Sequence, residues 1–151
     1  MDQIKIRKAT KEDMDSIVNF NQQMAMETEN KPLDKNTLQE GVTAVFQDPQ
    51  KGFYLIAEAQ GHVVGSLLIT REWSDWRNGY FWWIQSVYVR TDMRRKGVFT
   101  ALYKKVKAIS QQRDDIVGFR LYVEKNNKIA QKTYKKIGMK PTYYLLYEET
   151  N

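Results

Sequence analysis

The chain has 151 residues, 42% of them hydrophobic and 28% charged, the composition of one globular domain with enough length to bury a core. No apolar run reaches the ~18 residues of a membrane span, and the charged, alternating first ten residues do not resemble a signal peptide. There is no cysteine, a single histidine (His62) and a formal net charge of +6. Disulfides, thiolate metal sites, a cysteine nucleophile and zinc sites built on several His or Cys ligands are thereby excluded.

The basic charge favours a polyanionic partner but does not choose between nucleic acid, a membrane surface and a phosphorylated small molecule. It is spread along the chain with no run of five like charges. A cytoplasmic protein is expected.

Gln3 to Arg7 alternates and predicts a first strand. Thr10 and Asp13 form a capping-box pattern ahead of Met14, Ile17, Val18 and Met24 at helical spacing, which predicts a helix over about 11–28. Asp34 can cap a second helix carrying Leu38, Val42, Val45 and Phe46, which Pro49 ends. Phe53 to Ala59 and Val63 to Thr70 read as a hairpin around Gln60-Gly61-His62, which makes His62 a solvated turn residue and a poor member of any catalytic triad. Residues 71–79 read as a loop with two tryptophans, and Tyr80 to Val89 as a long aromatic strand. Lys96 to Gln112 reads as a helix packed through Val98, Leu102, Val106 and Ile109. A strand over 117–123, a helix over 127–137 stopped by Gly138 and a last strand over 143–148 complete the chain. The uneven alternation predicts a mixed sheet covered by helices, without repeats or linkers.

Two segments carry chemistry. In the first, Val87-Tyr88-Val89 runs into Arg94-Arg95-Lys96-Gly97 and then directly into an amphipathic helix. The unpaired N–H groups of that helix start lie beside three cations, an arrangement that binds phosphate or pyrophosphate. Gly97 allows close backbone approach, and the Thr100 hydroxyl lies in the first turn. The spacing is neither a P-loop nor a dinucleotide fingerprint, and a plain basic surface turn is the other reading. In the second segment, Asn127 opens a helix and Tyr134 follows seven residues later, so both share one face; alternatively Asn127 only caps and Tyr134 only packs.

Taken together, Arg94-Arg95-Lys96-Gly97-Val98-Phe99 resembles the [Q/R]-x-x-G-x-[G/A] loop of the GNAT superfamily of acetyl-CoA-dependent N-acetyltransferases. The run from Val123 through Asn127 and Ala130 to Tyr134 resembles that family's second motif, in the right order and separation. The resemblance implies a mixed α/β fold, with a splayed central sheet of about six to seven strands and four helices, in a single acetyltransferase domain over 1–151. It also implies that Val87 and Val89, flanking Tyr88, lend backbone groups to the pantetheine arm, and that the N–H groups of Arg95, Lys96, Gly97, Val98, Phe99 and Thr100 hold the pyrophosphate. Asn127 would bond the pantetheine, and Tyr134 would protonate the departing thiolate. Phe99 stands where the family has a small residue, so its ring must point away from the phosphates. Gln85 stands in the region where many relatives carry a basic glutamate, and an amide cannot serve as a base.

The expected activity is direct attack of a primary amine on acetyl-CoA in a ternary complex, with a small cationic amine as acceptor. An alkyl ammonium with a pKa of about 10 costs about 4 kcal/mol to deprotonate at pH 7, so a base is needed. Candidates are Glu72, Asp75, Glu27 and Glu29, and the Val87 N–H is the candidate for the oxyanion. Trp73 and Trp83 could wall an acceptor pocket with Gln85, their faces suited to cations. The tryptophans could equally form core or a homodimer surface. No metal, membrane or nucleic acid is expected. The competing classes are a non-catalytic acyl-CoA-binding regulatory module and a basic nucleic-acid-binding domain, the latter without a helix-turn-helix or RNA-reading motif.

Overall fold

The computed structural model describes residues 3–151. The chain forms two compact units, the first ending at Leu121 and the second running from Tyr122 to Asn151.

The first unit is a five-stranded sheet with three helices. Its strands are β1 (Ile4–Lys8), β2 (Phe53–Ala59), β3 (His62–Ser74), β4 (Gly79–Val89) and β5 (Ile116–Arg120), in spatial order β1-β2-β3-β4-β5. β1 to β4 pair antiparallel and β5 joins β4 in parallel. The helices are α1 (Met14–Glu29), α2 (Lys35–Gln47) and α3 (Val98–Gln111).

Period-2 alternation decides which helix covers which face. On one face Ile17 and Val18 of α1 and Val42 of α2 pack with Tyr54 and Ile56 of β2, against Leu68 of β3. On the other, Leu55, Leu67, Ile69 and Trp82 are fully buried together with Leu102 and Val106 of α3. Phe53 meets Trp82 edge-on at 5.4 Å, and Tyr103 of α3 meets Phe119 of β5 at 5.9 Å. Trp82 is therefore core.

Local chemistry sets the element ends. Asp34 caps α2 by accepting from the Thr37 amide at 2.9 Å. Thr10 and Asp13 act earlier than expected: the Thr10 amide donates to Asp13 Oδ2 at 2.7 Å, and residues 11–13 form a 3-10 turn before α1 begins. Asp13 is buried and takes both ends of the Arg7 guanidinium, at 2.7 and 2.9 Å, while Arg7 Nε reaches Glu58 at 2.7 Å. This ties β1, β2 and the α1 entry together.

The second unit contains α4 (Lys128–Lys136). Asn127 caps it, accepting from the Ala130 amide at 3.1 Å, and Gly138 follows with φ +103°.

Two expectations are corrected. The 71–79 segment is not all loop, because β3 continues to Ser74 and only 75–78 turn. Its residues pair register by register with β4, Glu72 with Phe81 and Trp73 with Tyr80. The expected strand over 143–148 is absent among the described residues, so the sheet has five strands rather than six to seven. Tyr143 to Tyr147 are all exposed. Aromatic and aliphatic residues favour strands only where a pleated neighbour buries them, and no ladder forms there.

Candidate active site

The site is built where β4 ends and α3 begins. Within β4 the pairing Ser66 with Tyr88 and Leu68 with Gln85 sets Ser86 and Val87 opposite Leu67 alone. This is a β-bulge, and Ser86 takes a left-handed φ of +51°. One extra residue disrupts the ladder locally and reverses the side-chain alternation beyond it. As a result Gln85 and Tyr88 both lie on the α1 face.

Beyond Val89 a 3-10 turn (Thr91–Met93) leads to Arg94. Arg95 and Gly97 then adopt left-handed φ of +64° and +82°. Gly97 caps α3, and the helical ladder starts with the Ala101 amide on the Gly97 carbonyl at 3.0 Å. The amides of the first turn precede that ladder and carry the positive end of the helix dipole. A Cβ built on Gly97 would meet no atom within 4 Å, so the backbone faces open space. No acidic residue occupies the first turn, while Arg95 and Lys96 are exposed beside it. Phe99 is stacked along α3 on Tyr103, ring centroids 6.2 Å apart, which gives the ring a place on its own helix. Thr100 sits in the first turn, partly buried.

Tyr88 is only 3% exposed. Its ring stacks on Phe20 at 4.9 Å and its hydroxyl donates to Gln23 at 2.6 Å, so its side chain is committed to α1. What Tyr88 can offer a cofactor is main chain. Glu27, one turn further along α1, accepts from Arg94 at 2.7 Å and lies 3.4 Å from the Tyr88 hydroxyl. Glu29 is the last residue of α1 and exposed.

On the same face of the sheet Glu72 Oε1 accepts from Trp83 Nε1 and from Arg120 Nη1, both at 2.9 Å. The Arg120 guanidinium also covers the Phe81 ring at 3.6 Å, and Gln85 donates to the Thr70 hydroxyl. Glu72, Trp83 and Gln85 are thus brought together. Trp73 is not part of this group: it packs edge-on against Tyr80 and is half exposed. Asp75 lies in the hairpin turn beside Trp76, which is 85% exposed.

In the second unit, Asn127 spends its carbonyl oxygen on the cap of α4 and keeps its NH2 as a donor. Burial pushes the Tyr134 phenol above its ordinary pKa, holding it neutral. Among the described residues no cluster of three or more His, Cys, Asp or Glu could hold a metal, and no helix is long and apolar enough to cross a membrane.

Sequence reading missed the bulge, the Tyr88–Gln23 bond and the pinning of Glu72. Left-handed Ser86 has no local signature, and the other two depend on which strands and helices meet.

Comparisons with known proteins bear on the family and the fold. The sequence profile of the acetyltransferase (GNAT) family matches residues 15–139. A possible acetyltransferase from Clostridium difficile 630 is similar at 46% identity and TM-score 0.90, over 98% of this chain and 97% of that one. Two further solved structures share the fold. An aminoglycoside N-acetyltransferase in complex with CoA is 14% identical with TM-score 0.81, over 99% of this chain and 96% of its own. A predicted acetyltransferase with acetyl-CoA from Clostridium acetobutylicum is 19% identical with TM-score 0.81, over 97% and 96%. No curated protein matches the chain. With most of its length matched by the profile, and with a 46% identical relative covered over nearly its whole length, the chain belongs to the acetyltransferase (GNAT) family.

Proposed function

We propose that this protein is a single N-acetyltransferase domain that moves an acetyl group from acetyl-CoA to a primary amine, and that the acceptor is a small cationic amine. The observation that carries the reading is the Gly97 turn: two left-handed residues, an open backbone, the positive end of the α3 dipole and three cations at the end of a bulged strand. A pyrophosphate is the ligand such a turn suits. The main chain of Val87, Tyr88 and Val89 would run beside the pantetheine, the amides of Arg95 to Thr100 would hold the phosphates, and Asn127 would donate to the pantetheine. A cytoplasmic location goes with this reading.

In the reaction the amine nitrogen attacks the thioester carbonyl. The oxygen then carries negative charge, and the Val87 N–H at the bulge is the donor proposed for it. The C–S bond breaks as the carbonyl re-forms, and Tyr134 gives its proton to the thiolate. The base must take a proton from an ammonium of pKa about 10. Glu72 and Glu27 are the proposed carboxylates, with Glu29 at the rim, and Gln85, Trp83 and Trp73 on the acceptor side. Glu72 acts through a water, because one of its oxygens already holds two donors.

A thiol-release assay with acetyl-CoA and a panel of amines tests this directly. Amine-dependent release of free CoA supports the proposal. CoA binding without release for any amine makes the protein a coenzyme-binding module, and no CoA binding at all overturns the proposal.

A further inference from the structure

Arg94 does two jobs at once. Its Nη2 donates to Glu27 Oε2 at 2.7 Å, and its Nε donates to the Val89 carbonyl at 2.9 Å, while the guanidinium lies over the Tyr88 ring at 5.3 Å. One planar group therefore occupies a carboxylate assigned above to the amine and a β4 carbonyl assigned to the pantetheine. Arg94 also belongs to the phosphate-binding turn. In this position its Nε and Nη2 are turned to Val89 and Glu27.

We propose that Arg94 is handed over: in the free protein it covers Glu27 and the Val89 carbonyl, and coenzyme binding draws it onto the phosphates and uncovers both. This rests on the proposed acetyl-CoA site. Guanidinium prefers the bidentate grip of a phosphate, and phosphate carries more charge than the carboxylate it replaces. The Glu27–Arg94 pair is a weak holding contact. Each partner is 41% exposed, and ion pairs in that setting stabilise little. Release is therefore cheap. The handover makes Arg94 a positioning residue for the acceptor as well as a phosphate ligand.

The test is calorimetric titration of CoA into wild type, Glu27→Gln, Arg94→Gln and the double variant. Removing Glu27 frees Arg94 in advance, so Glu27→Gln is expected to tighten CoA by about two- to fivefold, the range of an exposed ion pair. A merely structural contact would leave affinity unchanged or weaken it. In the Arg94→Gln background the same substitution is expected to change Kd by less than about 1.5-fold, because nothing remains to release. An unchanged Kd in Glu27→Gln overturns the handover. So does equal tightening in both backgrounds, which would show only that a negative charge repels the coenzyme. In either case CoA still binds wild type and the acetyltransferase reading stands. Absence of CoA binding by wild type overturns both.

Discussion

Arg120 and Glu72 meet at 2.9 Å across the sheet, 48 residues apart in the chain. The parallel register of β5 on β4, which sets Arg120 against Trp83, brings the guanidinium to the carboxylate, and Trp83 completes the contact from the same strand pair. Glu72 is thereby oriented on the face where the acceptor is proposed to sit. If it relays a proton, Glu72→Gln lowers turnover by about 10- to 100-fold. The loss is largest at pH 7 and below, where the amine is protonated, and shrinks above pH 9. Initial rates across pH 6–10 check this, and a uniform loss at every pH would remove Glu72 from the proton path.

Gly97 separates backbone strain from ligand exclusion. Its φ of +82° disfavours any side chain, yet a Cβ there meets open space. Gly97→Ala is expected to cost about 1 kcal/mol of folding stability and to weaken CoA modestly. Gly97→Trp adds a ring in the space assigned to the phosphates and should abolish CoA binding while leaving a cooperative melt. Normal CoA affinity in Gly97→Trp would displace the phosphate site from this turn.

How far the sequence could be read depended on whether a feature is local. The α2 cap at Asp34, the β2 strand and the Asn127 cap all lie where their residues put them, because each is decided within a few positions of the chain, whereas α3 begins at Val98 rather than at Lys96 because Gly97 takes a left-handed turn. The bulge at Ser86 and Val87 was not legible. It exists only as a register offset between β3 and β4, and both strands alternate acceptably without it. The Arg94–Glu27 and Arg120–Glu72 pairs join residues 67 and 48 positions apart, so no spacing rule reaches them. The 143–148 segment shows the converse error. Tyr-Tyr-Leu-Leu-Tyr has strong strand preference, but that preference measures fit to a buried pleat, and its residues are exposed. The Gly97 turn was thus legible in the sequence, and the hydrogen bonds that hold Glu27 and Glu72 were not.

Tyr134 offers a prediction with a definite sign. Burial raises its phenol pKa, so the proton-bearing form persists to a pH above the ordinary value of about 10. Tyr134→Phe should slow turnover tens of fold or more with CoA affinity nearly unchanged. In wild type, no fall in rate attributable to a lost acid should occur below about pH 10. A Phe variant that turns over at the wild-type rate would place the acid elsewhere.

The Arg7–Asp13 pair gives a prediction about stability. The Arg7 guanidinium, with the Thr10 amide, holds the Asp13 carboxyl below the usual carboxylate range against the opposing effect of burial. The charged form is thus favoured in the folded state more than in the unfolded chain. By linkage, that contribution is present in full above the unfolded pKa of about 3.9 and disappears as pH falls through the lower folded value. Asp13→Asn removes it at every pH. Arg7 keeps Glu58 as a second partner and is part-exposed, so the cost at pH 7 is about 1–3 kcal/mol, below that of stranding a fully buried charge. Urea melts from pH 7 to pH 2.5 check this. The stability difference between wild type and Asp13→Asn should hold steady down to about pH 5 and narrow below pH 4. A difference that stays constant to pH 2.5 would mean that the pair acts through packing alone.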